Sequence, residues 1–493
     1  MRKLLVANRG EIALRIIRSA RALGIATVAV YSDADAGATY LAAADDAIRI
    51  GAPEAAASYL NSDAILAAAR AAGVDAIHPG YGFLSERPQF ARAVAESGFT
   101  FVGPPAAAMA TLGNKVAARR LAVQSGVPVV PGLDVADPTA ARRLGAAVGY
   151  PLLVKAAAGG GGRGMRVVKA ERELDGALEA AAREAQAAFG DGRLFLEKYL
   201  ARSRHIEVQV IGDQFGKLVT LGERDCSIQR RHQKIIEESP APGLDAAMRT
   251  QMAEAAIRLF RAAGYVNAGT AEFLVDGDSF YFLEANTRLQ VEHPVTEMRF
   301  GCDLVAEQLR IADGEALADP PTPAGHAIEC RIYAEDAERG FHPVAGRVEY
   351  LNLPAGPGIR IDTHLATGLE ISTWYDGMVA KLIAWGADRA QARTRLLGAL
   401  AEFSLLGVGH TAAFLYDIIA SKPFGDIDLS THFIDEFFTG WRPAETDLET
   451  ALIGCLLAAD AATNVDRTTP SRAPAESRSP WERLPRFEPW GGR

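Results

Sequence analysis

E-A-N-T-R-L-Q-V-E-H-P-V-T-E, residues Glu284 to Glu297, is the stretch that decides how this chain is read. It follows the apolar, strand-like run Phe280 to Leu283 and holds three glutamates, one arginine, two amides and one histidine. A carboxylate at the end of a buried strand is costly unless a cation neutralises it. Mg²⁺ with a polyphosphate meets that need, which makes this segment the expected reaction centre.

Immediately upstream, Ala271–Val275 and Phe280–Glu284 read as a hairpin around Asp276-Gly277-Asp278-Ser279. A two-residue turn at Gly277-Asp278 pairs Glu272 with Leu283 and leaves Glu284 on the opposite face. A three-residue loop at Gly277–Ser279 sets Glu272 across from Glu284 on one face. The three-residue loop is expected, because two facing carboxylates would share a divalent cation. Further upstream, His205–Ile211 alternates as a strand, and Asp245 reads as the N-cap of a helix through Ala263 that Gly264 ends. Between them Gly222–Gly243 is long and polar. Its Arg224, Arg230, Arg231, His232 and Lys234 suit phosphate neutralisation, with a solvated basic loop as the alternative.

From Lys115 to about Leu200 a smaller α/β unit is expected. Tyr150-Pro151 introduces a strand, Leu152–Lys155, and a run with five glycines in six positions follows at Gly159–Gly164. Absent side chains let backbone N–H groups approach phosphates closely, as a lid requires. No Gly-Lys-Ser/Thr closes the run, so it is not a Walker A loop, and a flexible linker is the competing reading. Leu194–Leu200 is an apolar strand carrying Glu197 and Lys198, a position compatible with adenine and ribose binding.

Residues 1–112 alternate strand and helix: Lys3–Ala7, Glu11–Leu23 closed by Gly24, Thr27–Tyr31, Ala64–Ala72 stopped by Gly73, and Ala76–Ile77. This is a doubly wound α/β pattern with a parallel sheet. The first turn, Asn8-Arg9-Gly10-Glu11, lacks G-x-G-x-x-G, which argues against a dinucleotide site. The loop His78–Glu86 falls where ligands bind such sheets, although a structural turn accounts for it equally well. Downstream, residues 325–440 form another α/β stretch whose first strand is His326–Tyr333. Glu329 and Arg331 share a face there, and the pattern alone favours an ion pair between them. Beyond Trp441 come an Ala/Leu-rich helix at Leu448–Ala462, a Pro/Ser/Thr/Arg linker at Asp466–Pro480, and a tail bearing Trp481 and Trp490.

Composition narrows the function class. At 493 residues, 49% hydrophobic and 23% charged, the chain has the balance of a multi-domain globular protein. A net charge of −9 without a long Lys/Arg run argues against nucleic acid as main partner. Met1–Ala7 is too short an apolar run for a signal peptide, and no stretch approaches the roughly 18 apolar residues of a membrane span. The four scattered cysteines read as free thiols, and a cytoplasmic location is expected.

Taken in order, these motifs resemble the biotin carboxylase family of ATP-grasp ligases from about residue 2 to residue 440. They are A-N-R-G-E-I-A at Ala7–Ala13, H-P-G-Y-G-F-L-S-E at His78–Glu86, the Gly159–Met165 loop, and E-R-D-C-S-I-Q-R-R-H-Q-K at Glu223–Lys234. N-T-R-L-Q-V-E-H-P-V-T-E at Asn286–Glu297 and Glu329-Cys330-Arg331 complete the set. The resemblance implies a Rossmann-like N-terminal domain over 1–112 and an ATP-grasp core over 113–320, with a lid at about 127–199. A mixed α/β C-terminal domain over 321–440 and a helix with a Trp-containing tail over 441–493 follow.

It also implies roles. Lys115, Lys155 and the backbone of Gly161 and Gly162 would hold ATP phosphates. Glu197, Lys198 and Leu200 would form the adenine–ribose hinge, with His205, Gln229 and His232 lining the nucleotide. Glu272, Glu284 and Asn286 would bind Mg²⁺ or Mn²⁺. Arg288, Gln290 and Val291 would form the bicarbonate pocket, with Glu292 as general base and Lys234 beside the reacting phosphate. Tyr81 and Arg331 would lie nearest biotin, Arg331 stabilising its enolate. The implied reaction is ATP- and bicarbonate-dependent carboxylation of biotin through carboxyphosphate.

Departures from the family pattern are Ala157-Ala158 before the glycine loop, Val344-Ala345 in the Phe341–Gly346 element, Gly377 in Tyr375–Met378, and Ala412 after Thr411. All lie outside the implied catalytic set. The sequence contains no A-M-K-M-like biotinylation site, so biotin is expected on a separate carrier protein or domain. The resemblance thus implies a biotin carboxyl carrier partner, a carboxyltransferase subunit, homodimerisation, and a place in an acyl-CoA (or pyruvate) carboxylase, including those of fatty acid biosynthesis. A carbamoyl-phosphate synthase-like ligase and a catalytically silent scaffold are the competing expectations.

Overall fold

In the computed structural model, residues 1–135, 138–156, 166–189 and 192–443, with 453, 454 and 456, are described. Gly161 and Gly162 of the glycine loop, and the expected helix and Trp-bearing tail apart from those three positions, lie outside the described residues. Met1–Trp441 forms one compact unit and Arg442–Arg493 a second.

The N-terminal alternation folds as expected into a five-stranded parallel sheet. Its spatial order is Asp46–Gly51, Ala26–Ser32, Lys3–Val6, Ala76–His78, Thr100–Phe101. Helix Gly10–Ala22 buries Ile12, Ala13, Ile16 and Ile17. Gly24 follows it at φ +73°, and Gly73 caps helix Ser62–Ala72 at φ +61°. The order reverses between Lys3–Val6 and Ala76–His78, so the loops after these two strands open on one crevice, the usual ligand position in such sheets. Those loops carry Asn8–Glu11 and Pro79–Glu86. Asn8 Nδ2 donates to the carbonyls of Pro79 and Tyr81, both at 2.7 Å, which ties the two loops together.

A four-stranded antiparallel sheet, ordered Gly132–Val135, Leu194–Lys198, Leu152–Ala156, Arg166–Val168, carries Lys155, Glu197 and Lys198. The largest sheet has eight antiparallel strands. They run Ser279–Asn286, Asn267–Asp276, Arg204–Gly212, Leu218–Arg230, Gln233–Ser239, His326–Tyr333, Met378–Gly386, Ile359–Thr363.

Two-residue alternation gives this large sheet one apolar and one polar face. Ile206, Val208, Val210 and Phe273 pack against Met252, Ala255 and Leu259 of helix Ala246–Ala262, capped by the Asp245 carboxylate accepting from the Met248 N–H. Ile328, Cys330, Ile332 and Leu382 pack against Ala392, Leu396 and Ala399 of helix Arg389–Glu402 and against Leu415 and Ile418. The alternate positions carry Glu207, Gln209, Glu237, Glu329 and Arg331. An antiparallel sheet ordinarily leaves such a polar face to water. Here it is buried, with helix His293–Phe300 lying across strands Leu218–Arg230, Gln233–Ser239, His326–Tyr333 and Met378–Gly386. Every charge on that face therefore needs a partner.

One competing reading falls and one expectation is corrected. The basic stretch 222–243 is not a solvated loop: it forms strands Leu218–Arg230 and Gln233–Ser239, turning at Arg231 and His232, both with positive φ. The Glu272 hairpin turns through two residues, with Asp276 opposite Ser279, and not through a three-residue loop. Glu272 still faces Glu284, because a β-bulge admits Leu283 as an extra residue between Phe282 and Glu284. Cys226, Cys302 and Cys330 are unpaired thiols.

Candidate active site

Lys234 is the hub of the buried polar face. Its Nζ lies 2.8 Å from Glu272 Oε1 and 3.0 Å from Glu292 Oε1, and it also contacts Glu207 Oε1. Burial alone would lower the lysine pKa, but the three carboxylates outweigh it and hold the ammonium protonated well above its usual range. Glu292 is fully buried. Burial and Glu207 push its carboxyl up, yet Lys234, Arg331 and Arg224 outweigh them and keep it ionised.

Arg331 bridges Glu292 Oε2 at 2.8 Å and Glu237 Oε1 at 2.5 Å. The expected intrastrand pair with Glu329 does not form: Glu329 is fully buried, and neither of its oxygens accepts a hydrogen bond. The reason is register. Glu237 lies directly across from Glu329 on the neighbouring strand, and Arg331 reaches the carboxylates beside it.

At the other end of the cluster, Glu272 Oε1 accepts from Asn286 Nδ2 at 2.6 Å and Gln290 Nε2 at 2.9 Å, and its Oε2 lies 2.8 Å from His205 Nε2. Burial pulls the imidazole pKa down, but Glu272 and Glu207 hold it up at about 9. Gln229 Nε2 lies 2.9 Å from His205 Nδ1. Glu284 pairs with Lys115 at 3.0 Å. Arg288 reaches Asn286 Oδ1 at 3.2 Å, Gln290 Oε1 at 3.1 Å and Glu86 Oε2 at 3.0 Å. Glu272, Glu284 and Asn286 offer two carboxylates and an amide oxygen around one β-bulge. That hard, all-oxygen set fits Mg²⁺ or Mn²⁺, and each carboxylate already faces a cationic ammonium.

Tyr81, Arg288, Val291 and Arg331 come together as lining of one cavity of about 420 Å³, with Gly10, Glu11, Gln233, His364 and Trp374 among its other walls. The His78–Glu86 loop thus lines this cavity through Tyr81, Gly82 and Phe83, and its Glu86 pairs with Arg288. Lys155 pairs with Glu197. Lys198 Nζ donates to the carbonyls of Gly149 and Tyr150, at 3.1 and 3.3 Å. Leu200 is buried, while His232 sits exposed at a hairpin turn, apart from the cluster.

Several residues escaped the sequence reading. Glu207 holds Lys234 and Arg224; its signal was the His205–Ile211 alternation, which puts Glu207 on the same face as His205. Fully buried Lys381 lies 3.3 Å from Glu11 Oε1 and donates to the Val291 carbonyl at 3.1 Å, and Glu11 accepts from the Tyr81 hydroxyl. Glu11 stood in a quoted motif. Lys381 had no local signal, since its partners come from distant segments.

A buried ionised carboxylate, a clamped lysine and an oxygen-rich set of side chains thus share one antiparallel sheet, in a fold whose class is the ATP-dependent ligases of the ATP-grasp type. Family models agree segment by segment. Residues 1–109 match the biotin carboxylase N-terminal domain, 114–319 the ATP-binding domain of the carbamoyl-phosphate synthase L chain, and 329–436 the biotin carboxylase C-terminal domain. The chain belongs to the biotin carboxylase family.

It is 48% identical to a biotin carboxylase of Nostoc sp. over 440 residues, covering 88% of this chain and 98% of that protein. It is 50% identical to the mitochondrial methylcrotonoyl-CoA carboxylase subunit alpha of Glycine max over 442 residues, 88% of this chain. The match spans 60% of that longer relative. A solved biotin carboxylase domain dimer of the Hydrogenobacter thermophilus 2-oxoglutarate carboxylase, in complex with magnesium ADP, ADP and bicarbonate, superposes with TM-score 0.83 at 43% identity. The superposition covers 90% of this chain and 99% of that one. Among the described residues no helix is long and apolar enough to cross a membrane.

Proposed function

We propose that this chain uses ATP and bicarbonate to carboxylate biotin borne on a separate carrier protein or domain, as one component of an acyl-CoA or pyruvate carboxylase. The observation that carries the reading is Glu292, an ionised buried carboxylate held between Lys234 and Arg331 beside the cavity lined by Arg288 and Val291.

In this reading Arg288, with Gln290 and the Val291 backbone, grips bicarbonate through a planar guanidinium. Glu292 takes the remaining bicarbonate proton as its oxygen attacks the γ-phosphorus and ADP leaves. Lys234 neutralises charge on the transferring phosphoryl group. Glu272, Glu284 and Asn286 would hold a divalent ion, which supplies further charge neutralisation on the phosphates when bound. Lys115 and Lys155 serve the phosphates, and Glu197, Lys198, Leu200, His205, Gln229 and His232 the rest of the nucleotide, with Gly161 and Gly162 covering it. Carboxyphosphate then breaks into CO₂ and phosphate. The phosphate takes the ureido N–H proton, the nitrogen bonds to CO₂, and Arg331 with Tyr81 holds the biotin ring and the negative charge on its oxygen.

The domain limits 1–112, 113–320, 321–440 and 441–493, homodimerisation, a carrier and carboxyltransferase partner, and a cytoplasmic location belong to the same proposal. The test is phosphate release by the purified chain with Mg²⁺ATP. Release that requires bicarbonate and rises with free biotin is expected; bicarbonate-dependent release indifferent to biotin would favour the carbamoyl-phosphate-like alternative.

A further inference from the structure

Glu329 is a fully buried carboxyl group with neither oxygen in a hydrogen bond, and Glu237, although ion-paired to Arg331, likewise accepts no hydrogen bond. It lies opposite Glu237 in the antiparallel register, and directly opposed side chains leave the sheet on the same face, with Cβ atoms about 5 Å apart. Glu237 is also fully buried and contacts Arg331, whose same Nη2 nitrogen serves Glu292. One guanidinium thus faces two carboxylates already, and Glu329 adds a third acid with no ion pair of its own, near only Lys381 and the shared Arg331.

The charged or titratable groups near the pair are Arg331 and Tyr333 on the Glu329 strand, Lys381 on the next, Lys234 on the Glu237 strand, Glu292 ahead of helix His293–Phe300, and the buried thiols Cys226 and Cys330. Lys234 is shared among three other carboxylates, and Lys381 is engaged by Glu11 and the Val291 carbonyl. Two opposed carboxyl groups away from water cannot both ionise at low cost, as in paired-carboxyl sites generally. Consistent with this, burial drives Glu329 well above the usual carboxyl range and Glu237 to about 7.

We propose that Glu237 and Glu329 form a carboxyl pair that retains one proton, and that its single remaining negative charge, on Glu237, is the positioning element for Arg331. The proton stays on the Glu329 side, so Arg331 is drawn between two anions, Glu237 and Glu292, and not three. A second negative charge would pull the guanidinium away from the cavity and from Glu292. The role assigned to Arg331 rests on the proposed function; the retained proton does not.

The experiment pairs infrared spectroscopy with pH profiles on the full chain, wild type, Glu329→Gln and Glu237→Gln. The wild type should show the C=O stretch of a protonated, slowly exchanging carboxylic acid at neutral pH, titrating away as pH rises; burial also raises the Glu11 carboxyl to about 7, so the band of the pair is the one that Glu329→Gln removes. Glu329→Gln, an isostere of the protonated acid, should lack that band. Its biotin-dependent turnover should stay within about threefold of wild type at neutral pH while the alkaline decline of the wild type disappears. Glu237→Gln should lower biotin-dependent turnover by about tenfold or more across the pH range. Absence of a titrating band in the wild type, or an unaltered pH profile in Glu329→Gln, would overturn the proposal. A wild type that shows the band but no bicarbonate-dependent phosphate release would sustain the pair and overturn the proposed function.

Discussion

Glu272 stands opposite Glu284 because the strand between Phe282 and Glu284 bulges by one residue, Leu283, whose side chain is 38% exposed and adds nothing to the core. The bulge aims a carboxylate, as bulges beside active sites commonly do. Glu284→Gln keeps the register and the shape but removes a hard anionic ligand. The Mg²⁺ concentration for half-maximal ATP turnover should rise by about tenfold or more. A metal titration of phosphate release checks this, and an unchanged midpoint would remove Glu284 from the metal set.

Glu292 makes the second test. Glu292→Gln preserves volume and keeps one acceptor oxygen for either Lys234 or Arg331, but it turns an NH2 donor toward the other cation and cannot accept a proton. Bicarbonate-dependent phosphate release should fall by about a hundredfold or more, while ATP binding measured by calorimetry stays near wild type. Loss of ATP binding together with turnover would mean that Glu292 acts on the nucleotide and not on bicarbonate.

Arg224 tests stability. Its guanidinium is fully buried and donates to Glu207 Oε2, Gln209 Oε1, Thr270 and Thr296. Arg224→Met would leave Glu207 with Lys234 and His205 as its nearby cations. The expected loss is roughly 3 to 5 kcal/mol, read by denaturant unfolding. A loss near zero would show that Lys234 and His205 suffice for Glu207.

The buried histidines set a pH dependence. Burial, together with Arg15 for His78 and Arg9 for His364, pulls both imidazoles to about 4, against 6.5 for the free side chain. The folded state thus binds fewer protons than the unfolded chain between those values. Stability should be full above pH 6.5 and decline as pH falls toward about 4, by roughly 3 kcal/mol at most for each histidine. Melting temperature across that window checks it, and His364→Gln should flatten the slope; an equally steep slope would place the titration elsewhere.

Much of this was legible in the sequence because strand alternation and glycine stops are local. Helix Gly10–Ala22, strand His326–Tyr333 and the N-cap at Asp245 follow from neighbours in the chain, and the motifs named the residues around Lys234. What failed depends on which strand lies alongside. Arg331 and Glu329 share a face as expected, but pairing with Gln233–Ser239 delivers Glu237, and the segment before His293 delivers Glu292, so Arg331 turns to those. The bulge at Leu283 gave no signal either. Its consequence, Glu272 facing Glu284, was anticipated, but the turn that was expected to produce it was not the one found. The hairpin at Arg231-His232 was hidden because its strands carry charges on a buried face, a pattern that periodicity reads as loop.

The eight-stranded sheet passes without a break from Ser279–Asn286, which carries Glu284 of the proposed metal set, to His326–Tyr333, which carries Arg331. The two ends of the proposed reaction are therefore fixed to one ruled baseplate. In the proposed reaction the distance from phosphoryl transfer to biotin is set when the strands pair, before any substrate arrives. Opening to admit nucleotide or carrier must then be the work of what lies over the plate, and evolution can exchange the carrier's docking surface without recalibrating the distance between the two half-reactions.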